Sequence, residues 1–341
     1  MNRRSFFAAA ALPALVAWPK RQTARDVVKP QRLREGQTVG VISPAGVTYS
    51  SETLDVMEER LDALGLKMKA GQHVMSRRGY LAGTDEQRAA DVNAMFADSS
   101  VDAILCLRGG WGCARLLPLV DYDAARANPK ILFGYSDVTA LLLGLYAQAG
   151  LVGFHGPTGV STYNAFTVDY LRRVLFEAEA VRFENPSVVG DELAQTDDRI
   201  RTITPGTATG RLVGGNLTVL SALVGSAYLP DFTGHVLFLE DIGEDVYRID
   251  RMMTQLALAG ILGQLAGFVF GKCTRCGADS GGYGSLTFEE VLHDHLSPLG
   301  IPAYSGAMIG HIEDKFTVPV GISARISAEA GTLTLLEPAV V

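Results

Sequence analysis

An α/β fold built on an open, mostly parallel sheet is predicted by three observations. Apolar runs of strand length (Thr38 to Ser43, Val101 to Leu107, Ile131 to Phe133, Leu151 to Phe154) alternate with stretches whose apolar residues recur at helical spacing. Turns rich in glycine or proline punctuate the runs. Alternation at this pitch needs crossover connections, which put helices on both faces of a parallel sheet. Sites in such sheets form beyond the carboxyl ends of the strands. Two unusual stretches lie there: RGGWG (Arg108 to Gly112) and the turn Gly134-Tyr135-Ser136.

The chain opens outside the fold. Arg3-Arg4 precede Phe6-Phe7 and an apolar run from Ala8 to Trp18, with no acidic residue before Asp26. This is the pattern of a secretory leader, and the paired arginines read as a twin-arginine-type signal over residues 1–24, with a periplasmic destination and a cytoplasmic one as the alternative. The run falls short of the ~20 apolar residues that span a bilayer. The remaining ~315 residues suffice for two domains with proper cores. Residues 1–24 hold four basic side chains and no acidic one, so the −7 of the whole chain becomes −11 for the rest. Such an acidic protein is a poor partner for nucleic acid.

From Thr38 the elements follow in order. Leu54, Met57, Leu61 and Leu64 share a helical face, and Gly65 stops that helix. Thr84-Asp-Glu-Gln87 is a capping box, opening a helix with Ala89, Val92 and Phe96 on one side. The strand Val101 to Leu107 runs into the RGGWG loop, which lacks the order and the Lys-Ser/Thr of a phosphate loop. Its glycines suit close backbone approach to a substrate carbonyl. Ile131 to Phe133 then turns sharply at Ser136 into a helix over Asp137 to Tyr146. A serine at such a turn presents its hydroxyl, although Val138 stands where a nucleophile elbow has its second glycine. Taken alone, Ser136 reads as a helix N-cap before it reads as a nucleophile.

Residues 166–205 are polar and turn-rich and read as a connecting segment between a first domain over 25–165 and a second over 206–341. In the second, Gly214-Gly215-Asn216 is a glycine turn before an apolar helix. His235 to Glu240 is a buried strand ending in an acid, and a helix carries Ile249, Met252, Met253 and Leu256 on one face. Strands over Leu265 to Gly271, Ile322 to Ile326 and Leu333 to Leu336, a helix over Thr287 to Leu296, and the pair Gly310-His311 complete it. His311 alone is either a loop histidine or a base. His293 and His295 lie on different helix faces, wrong for one metal. His73, His155 and His235 read as structural. Cys106, Cys113, Cys273 and Cys276 are too few for a disulfide scaffold. Cys273 and Cys276 have C-x-x-C spacing but no second pair, so they read as buried thiols or an incidental disulfide.

Several spaced motifs coincide in one order: YLAGTDEQR (Tyr80 to Arg88), RGGWG, NPKILFGYSD (Asn128 to Asp137), FHGP (Phe154 to Pro157), GGNL (Gly214 to Leu217), FLEDIGEDVYRIDRM (Phe238 to Met252) and GHIEDKFTVPVG (Gly310 to Gly321). With these the chain resembles the LD-carboxypeptidase family, which includes murein tetrapeptide carboxypeptidases and microcin-immunity peptidases. The resemblance implies a flavodoxin-like parallel-sheet N-terminal domain, a smaller C-terminal α/β domain and a site at their interface. It implies Ser136 as nucleophile, His311 as base and Glu240 as the acid orienting it. Gly110 and Asp137 N–H groups would line an oxyanion hole. Arg108, Trp111 and Asn216 would hold substrate, with Trp111 standing where the family more often has tyrosine. No cofactor or metal is implied, the partner is a small murein-derived peptide, and a homodimer is compatible with it. Two other readings stand beside the carboxypeptidase: a microcin-immunity-type hydrolase acting on aminoacyl-nucleotides or related amides, and a non-catalytic binding module using the cleft.

Overall fold

The computed structural model describes residues 25–187, 189–191, 193–277 and 284–341. The expected leader, residues 1–24, lies outside them. Fourteen strands form two sheets among the described residues. The first sheet takes β1 (Thr38–Ile42), β2 (Lys67–Ala70), β3 (Ala103–Cys106), β4 (Ile131–Gly134) and β5 (Gly153–His155). Their spatial order is β2-β1-β3-β4-β5, all parallel, the flavodoxin-like order. Helices α1 (Glu52–Ala63), α2 (Asp85–Ala97), α3 (Cys113–Leu116), α4 (Tyr122–Ala127) and α5 (Thr139–Ala149) accompany them. The capping box is present: Thr84 Oγ1 accepts the Gln87 N–H at 3.2 Å and Gln87 Oε1 accepts the Thr84 N–H at 2.9 Å.

The segment 166–205 is more than a connection. It carries most of α6 (Ala165–Leu175) and the strands β6 (Arg182–Phe183) and β7 (Arg201–Thr204). Both strands join the second sheet, which also holds β8 (Thr207–Asn216), β9 (Val236–Ile242), β10 (Gly267–Thr274) and β11 (Ala303–Ser305). One late strand, β12 (Val318–Val320), returns to the first sheet and pairs antiparallel with β5. The last two, β13 (Ser323–Ser327) and β14 (Thr332–Leu335), close the second, whose order is β6-β14-β13-β8-β9-β10-β11-β7. At eight strands this sheet is the wider of the two. The polar composition of 182–204 fits edge strands, which are half solvated. That is why it read as linker.

Strand β8 changes partners along its length. Thr207 to Arg211 pair antiparallel with β13, while Leu212 to Asn216 pair parallel with β9. The first half alternates in exposure and the second is buried throughout, as a one-sided and a two-sided strand should be. With α7 (Leu217–Ala222), α8 (Val246–Leu258) and α9 (Phe288–Leu296), the parallel strands β8 to β11 form the α/β part of the second unit. Helix α5 touches both units, which explains why it is apolar nearly all round. No described helix is long and apolar enough to cross a membrane.

The C-x-x-C pair at the end of β10 is a disulfide, Cys273–Cys276. Cys106 and Cys113 are buried free thiols whose pKa values burial raises.

Candidate active site

Ser136 follows β4 with only Tyr135 between and opens a 3-10 turn, Ser136–Val138, that leads into α5. Its φ is +63°, one of few left-handed non-glycine residues described. An L-residue adopts that conformation at a cost of ~1–2 kcal/mol, and such strain collects at functional sites. No side-chain cap bond forms at this helix start, so the serine is not the N-cap that local sequence favoured. The RGGWG loop lies against it. A β-carbon at Gly109 would come within 2.9 Å of Ser136 Cβ and 3.2 Å of its Oγ.

Gly110 has φ +126° and packs on Gly46, whose N–H donates to Gly109 O at 3.2 Å. Asp137 is buried, and its Oδ2 accepts the Cys113 N–H at 2.8 Å, tying the Ser136 turn to the end of the glycine loop. Burial raises the pKa of this carboxyl. The Asp137 N–H belongs to the first turn of a helix, where amides have no intrahelical acceptor.

The second unit brings the histidine. His311 Nδ1–H donates to Glu240 Oε2 at 2.8 Å, and Glu240 is fully buried at the end of β9. That bond leaves Nε2 as the proton acceptor, the tautomer a general base needs. Asn216 Nδ2 donates to Glu240 Oε1 at 3.2 Å and to Asp241 Oδ1 at 3.0 Å, while its Oδ1 accepts the Val219 N–H at 3.1 Å. The His311 carbonyl accepts from Thr274 Oγ1 at 2.9 Å, which steadies the segment from β10. The two units meet here: the Tyr135 ring lies 4.7 Å from the His311 ring, centroid to centroid. Asn216 N–H donates to Thr139 Oγ1 at 2.9 Å, joining β8 to the start of α5.

Residues 39–156 match the family model of the LD-carboxypeptidase N-terminal domain, and residues 209–326 that of the LD-carboxypeptidase C-terminal domain. The chain belongs to the LD-carboxypeptidase family. It is a serine-type carboxypeptidase, as its relatives' names and family state. A Bacillus subtilis protein named probable murein peptide carboxypeptidase is 36% identical over 90% of this chain and 94% of its own. The muramoyltetrapeptide carboxypeptidase of Oxalobacter formigenes superposes with a TM-score of 0.75 at 29% identity, over 88% of this chain and 98% of that one. The microcin C7 self-immunity protein MccF, as a mutant in complex with adenosine monophosphate, gives 0.83 at 26% identity, over 92% and 100%.

Within this carboxypeptidase, the residues expected to hold substrate divide. Trp111 is 45% exposed at the mouth of the glycine loop. Arg108 is half-buried and donates from Nη1 to Val47 O at 2.8 Å, bracing a neighbouring loop. Asn216 is differently employed: it is buried and its amide is taken by Glu240, Asp241 and Val219.

Two buried titratable side chains lie close to the site: His155, which reads as structural in the sequence, and Lys315, which the sequence did not single out. His155 is buried beneath Tyr135, ring centroids 6.0 Å apart, and neither ring nitrogen has a hydrogen-bond partner. Burial, with His311 and Lys315 nearby, lowers its pKa to about 3. Lys315 is buried with Nζ 5.7 Å from the Tyr135 ring, and burial lowers its pKa to about 8. Their positions in FHGP and GHIEDKF were the only signal. Elsewhere His295 pairs with Asp250 at 2.7 Å and His293 with Ser297 at 3.1 Å, a divided use that agrees with their opposite faces.

Proposed function

We propose that this enzyme hydrolyses the L,D-peptide bond before the terminal D-alanine of murein tetrapeptides, through Ser136, His311 and Glu240. The observation that carries the reading is the 2.8 Å bond from His311 to a fully buried Glu240, in a segment packed on the residue before a left-handed serine. Ser136 Oγ attacks the scissile carbonyl carbon as His311 Nε2 takes its proton. The oxyanion is met by the Gly110 and Asp137 N–H groups. Collapse breaks the C–N bond, and His311 returns the proton to the departing D-alanine amine. Water, deprotonated by the same imidazole, then hydrolyses the acyl-enzyme. Glu240 fixes the tautomer and stabilises the imidazolium throughout.

The test is D-alanine release from a murein tetrapeptide by the purified mature protein, with Ser136→Ala as control. The likeness to MccF supports a second reading, hydrolysis of aminoacyl-nucleotide amides by the same residues. Turnover of a sulfamoyl-adenosine amide, with the tetrapeptide untouched, would favour it.

Export to the periplasm completes the proposal. Its support is the twin-arginine pattern at Arg3-Arg4 and the Cys273–Cys276 disulfide, since disulfides persist in oxidising compartments. Cell fractionation should find a shortened chain outside the cytoplasm, and full-length protein confined to the cytoplasm would overturn it.

A further inference from the structure

Arg88, at the end of the YLAGTDEQR motif, is among the largest fully buried side chains described, with 1% of its surface exposed. A buried guanidinium is costly unless its donors are used, and here Nη1 and Nη2 are engaged while Nε has no partner. Its Nη1 donates to two carbonyls at once, Pro44 O and, at 3.0 Å, Gly112 O, while Nη2 pairs with Asp85. Asp85 is itself held by a bidentate Arg115, at 2.8 Å and 2.6 Å, so the cation rests on an anchored anion.

The two carbonyls belong to the two loops that meet behind Ser136. Pro44 lies two residues before Gly46, and Gly112 lies two residues after Gly110. Between these pinned points runs one backbone bond, Gly46 N–H to Gly109 O at 3.2 Å. The peptide joining Gly109 and Gly110 is planar and trans, so its N–H points opposite to its C=O. Fixing the Gly109 carbonyl on Gly46 therefore fixes the direction of the Gly110 N–H. Gly112 is part of the device: its φ is +131°, and a β-carbon there would come within 2.6 Å of Arg88 Nη1.

We propose that Arg88 is a positioning residue for catalysis, clamping the Pro44 and Gly112 carbonyls so that the Gly109–Gly110 peptide keeps its N–H toward the developing oxyanion. This rests on the serine-hydrolase reading above. Arg88 touches no reacting atom and acts only through the glycine loop.

Arg88→Lys and Arg88→Gln should lower kcat on tetrapeptide by roughly 10- to 10³-fold, the range for losing one oxyanion donor. KM should stay within about threefold, and the acid limb of the pH profile should not move, because His311 and Glu240 are untouched. Affinity for a phosphonate transition-state analogue should fall in step with kcat. Affinity for intact tetrapeptide, measured in a Ser136→Ala background, should not. Gly46→Ala offers an independent route, since its β-carbon would stand 2.9 Å from Gly109 O and displace that carbonyl while leaving Arg88 alone. It should reproduce the same split. Folded Arg88 variants with wild-type kcat would overturn the proposal, as would tetrapeptide affinity falling in parallel with kcat. If Arg88→Gln fails to fold, Arg88→Lys and Gly46→Ala decide. A wild-type protein that releases no D-alanine and leaves Ser136 unlabelled by a fluorophosphonate would instead sink the hydrolase reading itself.

Discussion

Gly310 and Glu240 share a space that no side chain at position 310 could enter: a β-carbon there would lie 2.9 Å from Glu240 Oε2 and 3.1 Å from its Cβ. Oε2 is the atom that accepts the hydrogen bond from His311 Nδ1, so the glycine is what lets the histidine reach its acid. Gly310→Ala should therefore strike the pair directly. With φ at +130° the alanine also carries backbone strain. Steady-state kinetics should show kcat down at least ~10-fold, a part of the ~10⁴ lost when a triad acid is disabled outright. Unchanged kcat in a folded variant would argue that the Glu240–His311 bond is not used.

Ser136 and His311 should behave as one unit. Each alanine variant should lose on the order of 10⁶ in kcat, and the double variant little more. The left-handed φ of Ser136 adds a test that needs no substrate. Ser136→Gly should be inactive yet more stable than Ser136→Ala by about 1 kcal/mol, because glycine accepts that conformation without penalty. Denaturant unfolding of the two variants measures it, and equal stabilities would mean the turn is unstrained.

Some of this site was legible in the sequence and some was not, for physical reasons. Alternation gave the parallel character of the first sheet through β1, β3, β4 and β5, which are short buried runs, but not the edge strand β2, whose side chains are mostly exposed. It could not show that Val318 to Val320 cross to that sheet, because a three-residue edge strand has no period to read. The serine's turn was visible, but its left-handed conformation was not, since nothing local marks φ. His155 read as structural because a single buried histidine leaves no spacing signature, and only packing brings it beneath Tyr135. The family resemblance assigned Asn216 to substrate, whereas the fold gives its amide to two buried acids.

His155 gives the expected acid limit of stability. Its folded pKa is about 3 against an ordinary 6.5, so between those values the unfolded chain binds a proton that the folded chain refuses. Stability should fall as pH drops below ~6.5 and keep falling toward pH 3. Asp137 and Asp241, whose pKa values burial raises, act in the opposite sense, but they are common to wild type and variant. Urea unfolding of His155→Leu and wild type at pH 7.5 and 5.0 should show the variant losing less, by on the order of 2 kcal/mol. Parallel losses would mean that the folded protein protonates His155 readily.

Exhaustive EDTA treatment should leave carboxypeptidase activity intact, because the proposed steps assign every proton and charge to Ser136, His311, Glu240 and backbone amides. Loss of activity restored by zinc would require a different chemistry.

Asn216 separates a positioning role from a binding one. If it held the substrate's carboxylate, Asn216→Ala would raise KM and leave the acid pair alone. The geometry gives it other work: it caps α7 through Val219 and supplies N–H donors to Glu240 and Asp241, both buried. Losing the cap costs about 1 kcal/mol, and leaving buried carboxylates short of a donor costs roughly 1–3 kcal/mol more. Asn216→Ala should thus lower thermal stability and kcat together while KM changes little. Asn216→Asp should be worse on both counts, since it keeps the cap but sets a third carboxylate against two buried ones. A variant with wild-type kcat and a KM raised tenfold or more would return Asn216 to the substrate and leave Glu240 to be oriented by His311 alone.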